Sequence, residues 1–243
     1  SGIIVGKMFS YLRGLYMHAV FLDYKTVDAN DLDLGSIEAL LPEIVVYAFS
    51  NEEEVLARIE DAEVAIANKV VFDANVFARA TKLKLICVTA TGTNNIDLEA
   101  AKQSGVVVCN IRDYCTESVV QHVLLSMLTL MHSFNDYSAS IKSGDWQDGK
   151  SFSLLQHPIT ELSGKSLGII GYGVLGQGVA RAAETLGLKI LVGESFTKNN
   201  KSDEEIDRVT FDALLTESDI ISLHCPLTED TTELFDESAF EKM

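Results

Sequence analysis

Three glycines in the stretch SLGIIGYGVLGQGVARAAETLG have the spacing G-x-G-x-x-G, at Gly171, Gly173 and Gly176. An apolar, strand-like run precedes them, and an alanine-rich helical pattern follows. In such a turn the first glycine permits a tight bend, the second lets the backbone approach a pyrophosphate, and the third lets helix and strand pack closely. The helix N-terminus adds N–H groups and the positive end of its dipole. This stretch therefore predicts a dinucleotide site.

A carboxylate, Glu194, ends the next apolar run, LKILVGE, 23 residues after Gly171. An acid at this place accepts hydrogen bonds from the ribose hydroxyls and repels a 2′-phosphate. The spacing therefore favours NAD(H) over NADP(H) as the cofactor. Lys198 and Lys201 follow closely and would soften that preference. The alternative is an ordinary glycine-rich turn followed by a surface glutamate.

The cysteines and histidines show no comparable spacing. The four cysteines are Cys87, Cys109, Cys115 and Cys225. They form no C-x-x-C pair, and three lie in or beside apolar runs. Small buried hydrophobes in a reducing compartment are therefore favoured over a metal site or a disulfide, and no metal is predicted. His122 and His132 lie on an apolar helical pattern, which favours core or interface histidines over acid–base groups.

The bulk composition limits the class of protein. The chain has 243 residues, of which 47% are hydrophobic, and a formal net charge of −17. Such a negative surface repels phosphate backbones, so a nucleic-acid partner is not expected. Apolar runs fall short of the length that spans a bilayer, so no membrane association is expected. Acidity of this kind suits a soluble cytoplasmic protein and disfavours a highly anionic substrate unless basic groups are concentrated locally.

The elements that must position these residues follow a β-α-β pattern from His18 onward. Five Val- and Ile-rich runs alternate with helical patterns, as in parallel strands covered on both faces. The runs are HAVFLD (18–23), IVVYAF (44–49), AEVAIAN (62–68), KLICVTA (84–90) and VVVCN (106–110). A second series begins at Lys165 and contains the glycine turn. The fold class is therefore α/β with doubly wound parallel sheets.

A long helical pattern separates the two series. It begins near Thr116, a plausible N-cap, and runs towards Asn135 with apolar residues around most of its circumference. Such a helix is buried between layers or lies at a subunit interface. The polar stretch SIKSGDWQDGKSFSL, which contains Trp146, then predicts a surface connection. Residues 1–16 have no clear place in this pattern, and Met17 is the candidate native start.

Several motifs resemble one known family in both order and spacing. They are TATGTNNIDLEAAKQSGVVVCN (89–110), YCTESVVQHVLLSML (114–128), the glycine turn and LHCPLTEDTTELF (223–235). They resemble the D-isomer-specific 2-hydroxyacid dehydrogenases, and within that family the glycerate dehydrogenase (hydroxypyruvate reductase) branch. The resemblance implies a flavodoxin-like substrate domain over 17–115 and a Rossmann NAD-binding domain over 116–243, incomplete on its C-terminal side. It also implies a homodimer formed through the helix that starts near Thr116.

The resemblance assigns roles to individual residues. Thr91 and Gly92 match the loop whose N–H groups hold the substrate carboxylate, which suits a glycine-containing turn after a strand. Thr91 also approaches the nicotinamide. Glu194 matches the ribose-binding acid, which is more often Asp in the family. The remaining cofactor positions are Tyr172, Val174 and Leu175 around the glycine loop, and His224, Cys225, Pro226 and Thr231 on the adenosine side. Thr231 is also expected to start the next helix. Asn110 matches a strand end near the hinge.

The implied reaction is hydride transfer between nicotinamide and a 2-keto or D-2-hydroxy acid, with hydroxypyruvate and D-glycerate as the expected pair. The arginine, glutamate and histidine of the family follow the LHCPLT segment. No catalytic residue is therefore assigned, and the chain is expected to continue past Met243. His224 matches a cofactor residue instead of the proton donor. Two alternatives stay open: another substrate, such as 3-phosphoglycerate or a branched 2-keto acid, and an NAD-sensing corepressor.

Overall fold

The computed structural model describes residues 17–196 and 206–243. The contacts within the chain divide it into two compact units, residues 1–112 and 113–243. The candidate start region 1–16, Lys198 and Lys201 lie outside the described residues.

The first unit contains a parallel five-stranded sheet in the order β2-β1-β3-β4-β5. Its strands are β1 (Ala19–Phe21), β2 (Ile44–Val46), β3 (Val64–Ala67), β4 (Leu85–Val88) and β5 (Val107–Asn110). Each lies within one of the five apolar runs. This is the flavodoxin-like strand order, so the predicted doubly wound fold of this unit is confirmed.

Four α-helices connect these strands, and three of them begin at a capping side chain. They are α1 (Gly35–Leu40), α2 (Glu52–Ile59), α3 (Ala74–Arg79) and α4 (Leu98–Gln103). Asn51 and Glu54 form a reciprocal capping box at the start of α2. Asp73 and Asp97 cap α3 and α4. These caps satisfy backbone N–H groups that the first helical turn leaves without partners. Val20, Phe72 and other buried apolar residues form the core beneath them.

The second unit contains a parallel four-stranded sheet in the order β8-β7-β6-β9. Its strands are β6 (Ser166–Ile170), β7 (Lys189–Gly193), β8 (Arg208–Val209) and β9 (Ile220–Leu223). With β6 counted as the first strand, this is the 3-2-1-4 part of a Rossmann sheet. The sequence pattern missed β8, because two residues are too few to show a periodicity.

The helices of the second unit correct the sequence prediction at three places. They are α5 (Thr116–Met131), α6 (Phe134–Ser143), α7 (Asp145–Asp148), α8 (Val174–Glu184), α9 (Phe211–Glu217) and α10 (Glu237–Lys242). The N-cap of α5 is Cys115, not Thr116, and a left-handed residue, Ser133 (φ 44°), starts a new helix before the predicted end at Asn135. The predicted surface connection is partly helical, and Ser140 within it is buried.

Helix α5 packs on α8 along one face only. A Cβ built on Gly178 of α8 would lie 3.0 Å from Val120 and 3.1 Å from Thr116, so the small residue permits this close contact. Of the α5 residues, only Met127 is fully buried. Leu125 and Leu130 are 62% and 78% exposed. In the described part of the chain, none of the helices has the length and apolar character to cross a membrane.

Candidate functional site

The glycine turn connects β6 to α8 at the carboxyl edge of the second sheet. Gly171 has φ +89°, and a Cβ there would clash with the backbone of His224 and Cys225. A Cβ on Gly176 would clash with the carbonyl oxygen of Gly171, so this glycine lets the helix sit tightly on the turn. A Cβ on Gly173 would meet no protein atom within 4 Å. The backbone at Gly173 is therefore open to a ligand.

The N-terminus of α8 faces this opening without a side-chain cap. Its N-cap is Gly173, which has no side chain to accept the first N–H groups of the helix. The Gln177 side chain donates to the carbonyl oxygen of Tyr172 at 3.1 Å and so supports the turn from within. Uncapped N–H groups and the helix dipole together favour an anion. The chemistry and the open backbone both fit the pyrophosphate of a dinucleotide.

Glu194 follows β7, the strand beside β6, and so lies at the same edge of the sheet. Its N–H donates to the carbonyl oxygen of Val209 at 2.9 Å. Its carboxylate oxygen Oε1 accepts the N–H of Phe211 at 2.7 Å, and the side chain is exposed. Next to it, Arg208 Nη1 donates to the carbonyl oxygen of Gly193 at 2.7 Å. An exposed carboxylate at this place fits the ribose hydroxyls of NAD.

The segment after β9 borders the glycine turn from the other side. The His224 N–H donates to the carbonyl oxygen of Ile170 at 2.7 Å. The His224 ring is half-buried, and its Nε2 lies 2.9 Å from Ser222 Oγ. Burial lowers the pKa of His224 and raises the pKa of the Cys225 thiol. A histidine whose charged form is disfavoured by burial suits a pocket wall better than a proton donor.

Thr231 lies in a turn, and the prediction that it starts a helix is wrong. The next helix, α10, begins at Glu237 with Asp236 as its N-cap. Thr231 is buried, and its Oγ1 donates to the carbonyl oxygen of Pro226 at 2.7 Å and accepts the N–H of Thr228 at 2.8 Å. Its hydroxyl therefore holds the turn that follows β9.

Thr91 and Gly92, the predicted substrate residues, lie exposed on the loop after β4 in the first unit. The side-chain amide of Asn110 donates to the carbonyl oxygen of Thr91 at 2.7 Å. Asn95 Nδ2 donates to the carbonyl oxygen of Val70 at 2.7 Å and ties the same loop to the one after β3. The sequence assigned Asn110 only to a strand end near the hinge, whereas its side chain hydrogen-bonds directly to the Thr91 loop.

Asp23 organises the neighbouring loop and was missed by sequence reasoning. It is 4% exposed, and its two carboxylate oxygens accept the N–H groups of Asn68 at 2.8 Å and Lys69 at 2.6 Å. Charged side chains are rarely buried to this degree unless they are paired or hydrogen-bonded. An acid that ends an apolar strand run, as in HAVFLD, was the available signal.

Other histidine and cysteine side chains belong to different segments of the chain. His157 Nε2 lies 3.0 Å from Ser140 Oγ. Cys109 is exposed, so the prediction that it is a small buried residue is wrong. Cys87, its partner on β4, is partly buried, and burial together with Cys109 raises the pKa of its thiol to about 11. Within the ranges 17–196 and 206–243, no group of three or more His, Cys, Asp or Glu side chains is arranged to hold a metal ion.

Comparison with known proteins gives a consistent family. The profile described as "D-isomer specific 2-hydroxyacid dehydrogenase, NAD binding domain" matches residues 124–243. A glycerate dehydrogenase of Methylorubrum extorquens is 40% identical over 92% of this chain and 68% of its own length. A hydroxypyruvate reductase of Blautia hydrogenotrophica is 34% identical, covering 93% and 71%. A solved NAD⁺-bound 3-phosphoglycerate dehydrogenase of Entamoeba histolytica is 26% identical with TM-score 0.69, covering 94% and 69%.

The Rossmann sheet, the open glycine turn and these relatives define an NAD-dependent oxidoreductase that acts on 2-hydroxy acids. More particularly, the chain belongs to the D-isomer-specific 2-hydroxyacid dehydrogenase family. The family expected from the sequence motifs is therefore confirmed, and so is NAD as the cofactor.

Proposed function

We propose that the protein interconverts hydroxypyruvate and D-glycerate with NAD(H). The observation that carries this proposal is the similarity to a glycerate dehydrogenase and a hydroxypyruvate reductase over more than nine-tenths of the chain. The two names describe one reaction read in opposite directions. When bound, the nicotinamide cofactor supplies or accepts the hydride. The protein's own residues bind the two reactants and orient them.

In this proposal residues 17–115 form the substrate domain and residues 116–243 the NAD-binding domain. The backbone N–H groups of Thr91 and Gly92 bind the substrate carboxylate, and Thr91 also approaches the nicotinamide. The loop suits this role because Asn110 holds the Thr91 carbonyl from behind, so its backbone enters the reaction already positioned. An exposed glycine-containing turn after a strand is a typical anion-binding concavity.

The cofactor side of the site comprises the glycine turn, Glu194 and the segment after β9. The N–H groups at the start of α8 bind the pyrophosphate, flanked by the residues Tyr172, Val174 and Leu175. Glu194 accepts the ribose hydroxyls. His224, Cys225 and Pro226 line the adenosine side, and Thr231 acts there by holding the turn through its hydrogen bond to the Pro226 carbonyl.

The substrate is tested by NADH oxidation with the full-length protein and four keto acids: hydroxypyruvate, glyoxylate, pyruvate and 3-phosphohydroxypyruvate. The highest kcat/KM is expected with hydroxypyruvate. A preference for 3-phosphohydroxypyruvate would replace this proposal with the phosphorylated substrate, the activity named for the Entamoeba relative. The net charge of −17 disfavours that outcome, because it repels a doubly charged phosphate.

We also propose a homodimer formed through α5 and the helix after it. Their outer surfaces carry large apolar side chains that the chain itself leaves exposed: Leu125 (62%), Leu130 (78%), Phe134 (63%) and Ile141 (51%). A groove of about 270 Å³ lies among Leu125, Leu128 and Phe134. Contiguous apolar surface of this kind marks an interaction site. Sedimentation should give twice the monomer mass, and Leu130→Glu should give the monomer.

A cytoplasmic location completes the proposal. All four cysteines are free thiols, as is usual in a reducing compartment. Fractionation of the native host should place the protein with cytoplasmic markers, and its recovery outside the cell would contradict the assignment.

A further inference from the structure

The carboxylate assigned to the ribose is already engaged by the protein. Glu194 Oε1 accepts the backbone N–H of Phe211 at 2.7 Å. Phe211 is the first residue of α9, and Thr210 is the N-cap, with Oγ1 accepting the N–H of Ala213 at 3.2 Å. The Phe211 N–H therefore has no partner within its own helix and is satisfied by Glu194. The contact joins two separate segments of the second unit.

Two further hydrogen bonds connect the same segments. The Glu194 N–H donates to Val209, and Arg208 Nη1 donates to the carbonyl oxygen of Gly193. The end of β7 is thus fixed to β8 and the start of α9 by its backbone as well as by the Glu194 side chain. This arrangement limits the directions in which the carboxylate can point.

A row of aromatic rings extends the connection across the carboxyl edge. The Phe211 ring is edge-on to Phe196 with 6.0 Å between ring centroids, and edge-on to Phe235 at 5.6 Å. Phe196 follows β7, and Phe235 follows the turn that Thr231 closes. Phe211 therefore joins the segment carrying the ribose acid to the segment assigned to the adenosine side. Edge-to-face pairs add stabilisation beyond their buried area.

The contact also gives a physical reason why a glutamate suits this position. Glutamate has a longer and more flexible side chain, so it loses more rotamer freedom when a ligand fixes it. A carboxylate that the protein already holds has lost part of that freedom before the ribose binds. Each carboxylate oxygen can accept more than one hydrogen bond. Among the residues that the structure describes, Oε2 accepts no hydrogen bond, so it can accept from the ribose while Oε1 is held.

We propose that Phe211 is a positioning residue for NAD(H) selectivity, because its backbone N–H holds Glu194 Oε1 and directs Oε2 to the ribose. This inference rests on the proposed role of Glu194. It adds that the preference for NADH over NADPH depends on a main-chain group of α9.

A pair of substitutions at one position separates the N–H from the ring. Phe211→Pro removes both, and Phe211→Ala removes only the ring. Proline is well tolerated at the first position of a helix, so the fold should survive. Direct titration of NADH and NADPH should show NADH affinity about three- to tenfold weaker in Phe211→Pro than in Phe211→Ala. The ratio of NADH to NADPH affinity should fall in parallel.

A double-mutant cycle with Glu194→Ala distinguishes this inference from the proposed function. If Glu194→Ala leaves NADH affinity and selectivity unchanged, Glu194 does not bind the ribose and both ideas fail. If Glu194→Ala changes them but Phe211→Pro matches Phe211→Ala, only the positioning role of Phe211 fails. The inference requires that Phe211→Pro and Phe211→Ala bind NADH equally well in the Glu194→Ala background.

Amide hydrogen exchange tests the same contact without any change at Phe211. In the native protein the Phe211 amide should exchange more slowly than in Glu194→Ala, because Glu194 protects it. Thermal unfolding of each variant reports separately on the fold. Equal exchange rates at Phe211 in the two proteins would overturn the inference, even if Phe211→Pro did not fold.

Discussion

Substitution of Gly171 by alanine should destabilise the second unit, whereas the same substitution at Gly173 should impair only cofactor binding. Gly171 has φ +89°, a conformation that costs an L-residue roughly 1–2 kcal/mol. Its new Cβ would also overlap the backbone of His224 and Cys225, which cannot move as a flexible side chain would. Overpacking of this kind typically costs about 1–3 kcal/mol.

The two terms together predict a loss of about 2–5 kcal/mol for Gly171→Ala. In a protein of this size that corresponds to a decrease in melting temperature of roughly 4–20 °C. Gly173 is the matched control, because its Cβ would meet no protein atom within 4 Å and its φ is −80°. Gly173→Ala should therefore change stability by less than about 0.5 kcal/mol. It should still weaken NADH binding, because the methyl group occupies the space that the pyrophosphate approaches.

The assays are thermal unfolding followed by circular dichroism and equilibrium titration with NADH. Two results would refute the reasoning. A Gly171→Ala protein with the same melting temperature as the native protein would show that the turn does not pack closely against the His224–Cys225 backbone. A Gly173→Ala protein that binds NADH normally would show that the open backbone at Gly173 is not the pyrophosphate site.

Three further predictions concern the segments beside this turn and the first sheet. Thr231→Val keeps the side-chain shape but removes the hydroxyl that hydrogen-bonds to Pro226 and Thr228. The free energy of unfolding, measured by chemical denaturation, should therefore fall by about 1–3 kcal/mol. An unchanged denaturation midpoint would contradict the structural role of Thr231. Burial lowers the pKa of His224 below the usual value of about 6.5, so its contribution to stability is present above that pH and is lost as the pH falls through the folded pKa. His224→Gln should flatten the decline in melting temperature below pH 6.5, and an identical pH profile would rule this out. The pKa of Cys87 is raised to about 11, whereas Cys109 is exposed, so iodoacetamide should modify Cys109 well before Cys87 at neutral pH. Peptide mass mapping measures the order of labelling, and faster labelling of Cys87 would contradict the prediction.

Much of the secondary structure could be predicted because its signals are local. All five apolar runs of the first series contain a strand, and helical segments connect them as the alternating pattern predicted. The failures have physical causes. Strand β8 is too short to show a period, and the break at Ser133 depends on a left-handed residue that periodicity does not detect. Thr231 resembled a helix start because threonine caps helices and closes turns with the same hydroxyl.

The candidate site likewise has features that the sequence predicts and contacts that it does not. By itself the sequence determined the glycine turn, the acid after the next strand and the family motifs, because these depend on residue type and spacing along one short segment. Only the tertiary structure decided what these groups meet: the His224–Cys225 backbone against Gly171, the Asn110 amide on Thr91, the Phe211 N–H on Glu194. Those contacts join residues far apart in the chain. The two donors are a side-chain amide and a main-chain N–H, and no residue pattern shows which acceptor either of them meets. They exist because parallel strands bring the carboxyl ends of separate segments to one edge of a sheet.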